Sequence, residues 1–235
     1  MAKRGQLTHH LAALGAAETR SDKGTRQVLC CISIVTAEQR TRSEEMRSIA
    51  GVVHRIARAA PAPVHLWDPP YCGDLNLRIA SDGTWYYLNS PIGRHALVRL
   101  FASVLKREGN KYFLVTPVEK CGIIVDDAPF LAVELDLLRN AQGAQVLHFR
   151  TNVDDQVACG RDHPLRFETQ VATGGLKPYL HVRRNLWALL ARPLLYQLVS
   201  LGEEREIDGK RRFGIASGGE FFAMTDSELL QDLIS

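Results

Sequence analysis

No Cys-x-x-Cys pair, no uninterrupted apolar run of bilayer length and no catalytic signature occurs in these 235 residues. The five cysteines (Cys30, Cys31, Cys72, Cys121, Cys159) are odd in number and irregularly spaced, which argues against a disulfide framework or a zinc ribbon. Reduced thiols in a cytoplasmic protein are the expectation. The longest apolar-leaning stretches, 28–35 and 186–201, are short or broken by Arg192-Pro193, so no membrane span is expected. The basic N-terminus carries too short an apolar core for a secretory signal. A net charge of +3 is too small to imply nucleic acid. Gly-x-Ser-x-Gly, a glycine-rich phosphate loop before a helix and His-Glu-x-x-His are all missing.

What is present is most strongly patterned between Asp82 and Lys120. Leu75, Leu77 and Ile79 alternate with polar residues, the period of a half-buried strand. Asp82-Gly83 suits a tight hairpin turn, and Thr84-Trp85-Tyr86-Tyr87-Leu88 is aromatic and β-branched, as strands prefer. Ser90-Pro91 reads as an N-cap with proline in a first helical turn, opening a helix over 92–108. A second hairpin should then run 112–116, turn at 117–120 and return through 121–125. On a helix of that extent Arg94 falls inside the apolar stripe with Val98, Phe101 and Leu105. A guanidinium there needs an anionic ligand, or a structural partner such as Glu119 or Asp127.

Around this unit the chain divides into a loose tail (1–42), an amphipathic helix (43–63), an N-terminal α+β unit (64–129) and a C-terminal α+β unit (130–235). The tail has no sustained period and should not be needed for folding. His65, Cys72 and Asp74 could ligate a metal on paper, but their spacing matches no standard site, so no metal or cofactor is expected. Strands are expected at 130–135, 146–149, 156–159, 165–169 and 178–182. A helix follows over 183–201, kinked at Pro193, with a hairpin through Ser217-Gly218-Gly219. Thr225 with Glu228 reads as a capping box for a closing helix.

Arg94-x-x-Leu97-x-x-Leu100-Phe101 matches Arg183-x-x-Leu186-x-x-Leu189-Leu190, each after an aromatic strand and before a hairpin, which predicts an internal duplication. Several motifs carry a family resemblance as a set. They are Trp67-Asp68-Pro69-Pro70, Asp82-Gly83-Thr84-Trp85, Pro91-Ile92-Gly93-Arg94, Leu97-Val98-Arg99-Leu100-Phe101, Thr116-Pro117-Val118-Glu119-Lys120, Asp127-Ala128-Pro129-Phe130, Thr151-Asn152, Asp162-His163-Pro164 and Pro178-Tyr179-Leu180. Together they resemble the bacterial family called domain of unknown function 1285. The resemblance implies an α+β fold with duplicated units and a second half superficially like a pleckstrin-homology domain. It also implies an inter-unit cleft for a nucleotide-like ligand and a role in signalling. Pro193 and Leu88-Asn89 depart from the expected pattern.

The functional reading is a binding module for a small anionic ligand, held by Arg94, Thr116, Glu119, Lys120, Thr151, Asn152, Tyr179 and Arg183. The alternative is a hydrolase or transferase using Glu119, Asp127 and His163 as acid–base groups.

Overall fold

The computed structural model describes residues 62–170 and 174–226. The expected tail, the 43–63 helix up to residue 61 and the 227–235 end lie outside them.

Alternating hydrophobicity builds the first unit. In β1 (Tyr71–Ile79), Leu75, Leu77 and Ile79 are buried while their neighbours face outward. The strand turns through Asp82-Gly83 into β2 (Trp85–Tyr87), pairing Ile79 with Trp85. Gly83 stands at φ +81°, a left-handed conformation that glycine adopts without steric cost. Ser90-Pro91 is not a helix start but a short strand, β3, paired with Tyr86 and Tyr87. Between β2 and β3, Leu88 (φ 47°) and Asn89 (φ 60°) form a two-residue turn of primed type, a conformation asparagine tolerates. The turn that departs from the expected pattern is thus formed without glycine.

The first helix, α1, is only His95–Ser103, and Val104 already leaves the helical region. Leu105–Glu108 forms β4 rather than a last helical turn. The hairpin of β5 (Lys111–Val115) and β6 (Lys120–Val125) lies where the sequence predicts it. The sheet order is β3-β2-β1-β6-β5-β4, with β1 and β6 parallel at its centre.

In the second unit β7 (Phe130–Arg139), β8 (Gln145–Thr151), β9 (Gln156–Ala158), β10 (Leu165–Thr169), β11 (Leu176–Arg183) and β12 (Leu186–Leu190) form another six-stranded sheet. Its order, β10-β11-β12-β7-β8-β9, again places first and last strands as central parallel neighbours. The helix expected over 183–201 is instead a hairpin followed by a shorter helix. Arg184 (φ 46°) and Asn185 (φ 63°) turn β11 into β12, and α2 spans Arg192–Ser200. Pro193 occupies the first turn of α2, where its missing N–H costs nothing, and so causes no kink. A three-stranded meander follows: β13 (Glu203–Ile207), β14 (Lys210–Ser217) and β15 (Glu220–Asp226). Thr225 lies in β15, paired with Phe213, and the closing helix expected after it falls outside the described residues.

The duplication is present, in a different register from the one the arginines suggest. Arg94 precedes a helix, whereas Arg183 ends a strand. The matching order is three strands, helix, three strands: β1 to β6 around α1, and β10 to β15 around α2. Each α1 residue corresponds to the α2 residue 97 positions later, from His95 and Arg192 to Ser103 and Ser200. The buried Leu97 and Phe101 fall on the buried Leu194 and Leu198. Both terminal serines donate back to the preceding turn, Ser103 to Leu100 O and Ser200 to Tyr196 O.

Both units share one continuous apolar core, from Leu77, Trp85 and Phe101 through Phe130, Phe149 and Leu180 to Ile215. Each such large side chain, fully withdrawn from water, contributes about 1.5–3 kcal/mol.

Candidate functional site

Between the two units a short turn makes several of the polar contacts. Thr151 ends β8, and its completely buried hydroxyl accepts from the N–H groups of Val153 and Asp155. That closes the 151–155 turn and leaves Asn152 and Asp154 in contact with the first unit, with Asp155 linked to it through Arg183. The Asn152 amide donates to Gly83 O (3.1 Å) and accepts from Leu131 N (3.0 Å). Its backbone oxygen lies 2.9 Å from His95 Nε2, at the first residue of α1. Asp154 receives Arg99 from α1 (3.2 Å) and Arg150 from β8 (3.1 Å), with His95 Nδ1 at 3.8 Å. Asp155 holds Arg183, which also donates to Ala102 O at the end of α1 (3.0 Å) and lies 4.8 Å over the Phe130 ring. A cation at helix C-terminal carbonyls is favourably placed.

The predicted site residues thus fall into groups. Thr151, Asn152 and Arg183 converge on this junction. Arg94 stands beside it, immediately before His95. It is the N-cap residue of α1 in extended backbone conformation, outside the apolar stripe in which a longer helix would place it. It is exposed, and its guanidinium makes no hydrogen bond or ion pair among the described residues; the expected pairing with Glu119 or Asp127 does not occur. Thr116, Glu119 and Lys120 gather at the β5–β6 turn. There the Thr116 hydroxyl accepts from Glu119 N (3.1 Å), and Lys120 reaches Glu108 (3.2 Å) and the Phe113 ring (5.4 Å).

Tyr179 belongs to a second polar cluster. Its buried hydroxyl donates to Asp127 (2.7 Å), whose other oxygen accepts from Lys177 (2.6 Å). Burial and then the hydrogen bond to Asp127 raise the Tyr179 phenol above its ordinary range. Arg166 lies over both the Tyr179 and Trp187 rings, at 5.2 and 4.5 Å. Arg166 escapes a reading of the sequence, because only strand register makes it the direct partner of Tyr179 across β10–β11, while Lys177 shares a strand face with Tyr179 two residues away. Of the acid–base candidates, Asp127 is held in this cluster and His163 is bound through Nδ1 to His181 O (3.1 Å). Among the described residues no group of three or more His, Cys, Asp or Glu is arranged to hold a metal ion. None of the described helices is long and apolar enough to cross a membrane.

Fold and junction define a two-unit α+β protein whose halves share one core and are joined by polar contacts of the 151–155 turn and of Asp127. Two family models match: the N-terminal domain described as a domain of unknown function (DUF1285) over residues 62–128, and the C-terminal domain of the same family over residues 129–224. The chain belongs to the DUF1285 family. A solved DUF1285 family protein from Silicibacter pomeroyi DSS-3 is 48% identical, with a TM-score of 0.69, covering 76% of this chain and 95% of that one. A second, from Shewanella baltica OS155, is 31% identical over 53% of this chain and 90% of that one, with a TM-score of 0.42. No curated protein matches.

Proposed function

We propose that the protein binds a small anionic, nucleotide-like ligand at the cleft between its units and acts in signalling or regulation. One observation carries this reading: Arg94 is a guanidinium without a partner among the described residues, one position from the contact that joins the units. The other seven candidates already have interactions within the protein. The start of α1 supports the same ligand charge. It has no side-chain cap and no acidic residue in its first turn, so its positive dipole end is left for an anion. The ligand would rest on Arg94 while the 151–155 turn and Arg183 hold the two walls. The second unit, a six-stranded sheet with α2 after its sixth strand, would serve as the pleckstrin-homology-like half that presents the bound state to a partner.

The test is a thermal-shift screen of the full chain against nucleotides and nucleotide second messengers. A concentration-dependent rise in Tm for an anionic compound, reduced in Arg94→Ala, supports the reading, since a ligand that binds only the folded state stabilises it. No shift with any compound at millimolar concentration contradicts it.

A further inference from the structure

The Asp154 carboxylate is held between two guanidiniums, with an imidazole ring beside them. Arg99 and Arg150 contact it at 3.2 and 3.1 Å, and His95 Nδ1 lies at 3.8 Å. It is one of few residues other than glycine held at positive φ (63°). Its side chain is 35% exposed, so the cation nest opens to solvent. Arg150 has a second carboxylate partner in Glu134, whereas Arg99 has Asp154 alone among the described residues. Arg99 and His95 both belong to α1, the helix whose N-cap position Arg94 occupies.

We propose that Asp154 is a built-in stand-in for the ligand's anionic group: it occupies the Arg99–His95 nest until a phosphate-type anion displaces it. This rests on the anion reading of Arg94 and adds how the site is regulated. Exposed ion pairs are weak, so a dianion of phosphate type competes effectively with one carboxylate for the same guanidinium. Displacement has a structural consequence, because Asp154 shares its turn with Asn152 and Asp155. Those two residues bind Gly83 and, through Arg183, the end of α1. Freeing Asp154 removes one of the ties between that turn and α1, so occupancy of the nest is felt at the junction.

The probe is inorganic pyrophosphate, titrated calorimetrically at low salt into wild type, Asp154→Asn, Arg94→Ala and Asp154→Asn/Arg99→Gln. Asparagine is isosteric and tolerates positive φ, so the turn is retained; melting curves confirm that each variant is folded. Removing a unit negative charge a few ångströms from the bound anion should tighten binding by about fivefold or more in Asp154→Asn, and Arg99→Gln should abolish the gain. Equal or weaker binding to Asp154→Asn overturns the proposal even if Arg94→Ala lowers the affinity of the wild-type site. Tighter binding to Asp154→Asn together with an unchanged Arg94→Ala keeps the Asp154 proposal and removes Arg94 from the site.

Discussion

The side-chain amide of Asn152 donates to the backbone oxygen of Gly83 across 69 residues of chain, at 3.1 Å. A Cβ at position 83 would stand 2.7 Å from that same amide nitrogen. The β1–β2 turn of the first unit therefore fits the β8–β9 turn of the second only because residue 83 is glycine.

Gly83→Ala should destabilise the protein by about 1–2 kcal/mol from the left-handed backbone alone. The overlap with Asn152 and Leu131 adds to that cost. Chemical denaturation checks it: a midpoint equal to wild type would mean that the turns are not in contact.

Asn152→Ala removes the acceptor for Leu131 N and the donor to Gly83 O. Leaving such groups unpaired should cost about 1–3 kcal/mol. In a double-mutant cycle with Gly83→Ala the two losses should be less than additive, because one contact underlies both.

Arg183→Ala should lower stability by about 2 kcal/mol, the range for hydrogen bonds to charged groups. It loses Asp155, the Ala102 carbonyl and the face of Phe130 together. Arg183→Lys should recover little, since a single ammonium cannot span an acid and a carbonyl as a fork does. Full recovery by lysine would show that charge alone matters there.

Tyr179 gives a pH dependence with a definite sign. Its folded phenol titrates above the ordinary tyrosine value of about 10. The contribution from its neutral hydroxyl is present below that value and lost as pH rises toward the raised one. Alkaline denaturation should therefore show a stability slope above about pH 10 that Tyr179→Phe diminishes. Cys159 is shifted the same way, pushed up to about 12 chiefly by burial. Its thiol should resist alkylation at neutral pH in the native protein, while the partly exposed Cys72 reacts.

Strands whose two faces differ were readable from sequence. The alternation at Leu75, Leu77 and Ile79 and the turn residues at Asp82-Gly83 and Gly218-Gly219 correspond to β1, β2, β14 and β15. The expected second helix is too long because Leu186–Leu190 is a short apolar run, in which helical and strand periods cannot be distinguished. Only burial separates them: Leu186, Ala188 and Leu190 face the core, and Trp187 and Leu189 do not. The hairpins through Leu88-Asn89 and Arg184-Asn185 lack glycine, so their left-handed turns carried little signal. Missing the second hairpin shifted the apparent repeat and matched Arg94 to Arg183, two residues in unlike settings. At the junction, Thr151 and Asn152 are legible as polar groups between apolar strands, whereas Arg183 is reached only through a helix start that the structure replaces with a strand end. Arg99, Asp154 and Asp155 are not legible, because their roles depend on contacts between units distant in sequence.

The most direct measurement is a calorimetric titration of the strongest nucleotide from the thermal-shift screen into wild type and Arg94→Ala, with melting curves recorded alongside. Arg94 is exposed at a helix start, so its loss should leave Tm nearly unchanged. Affinity should fall by about tenfold or more, the loss of a charge-assisted hydrogen bond. Equal affinity for the two proteins would contradict the account, and a large drop in Tm with equal affinity would make Arg94 a structural residue.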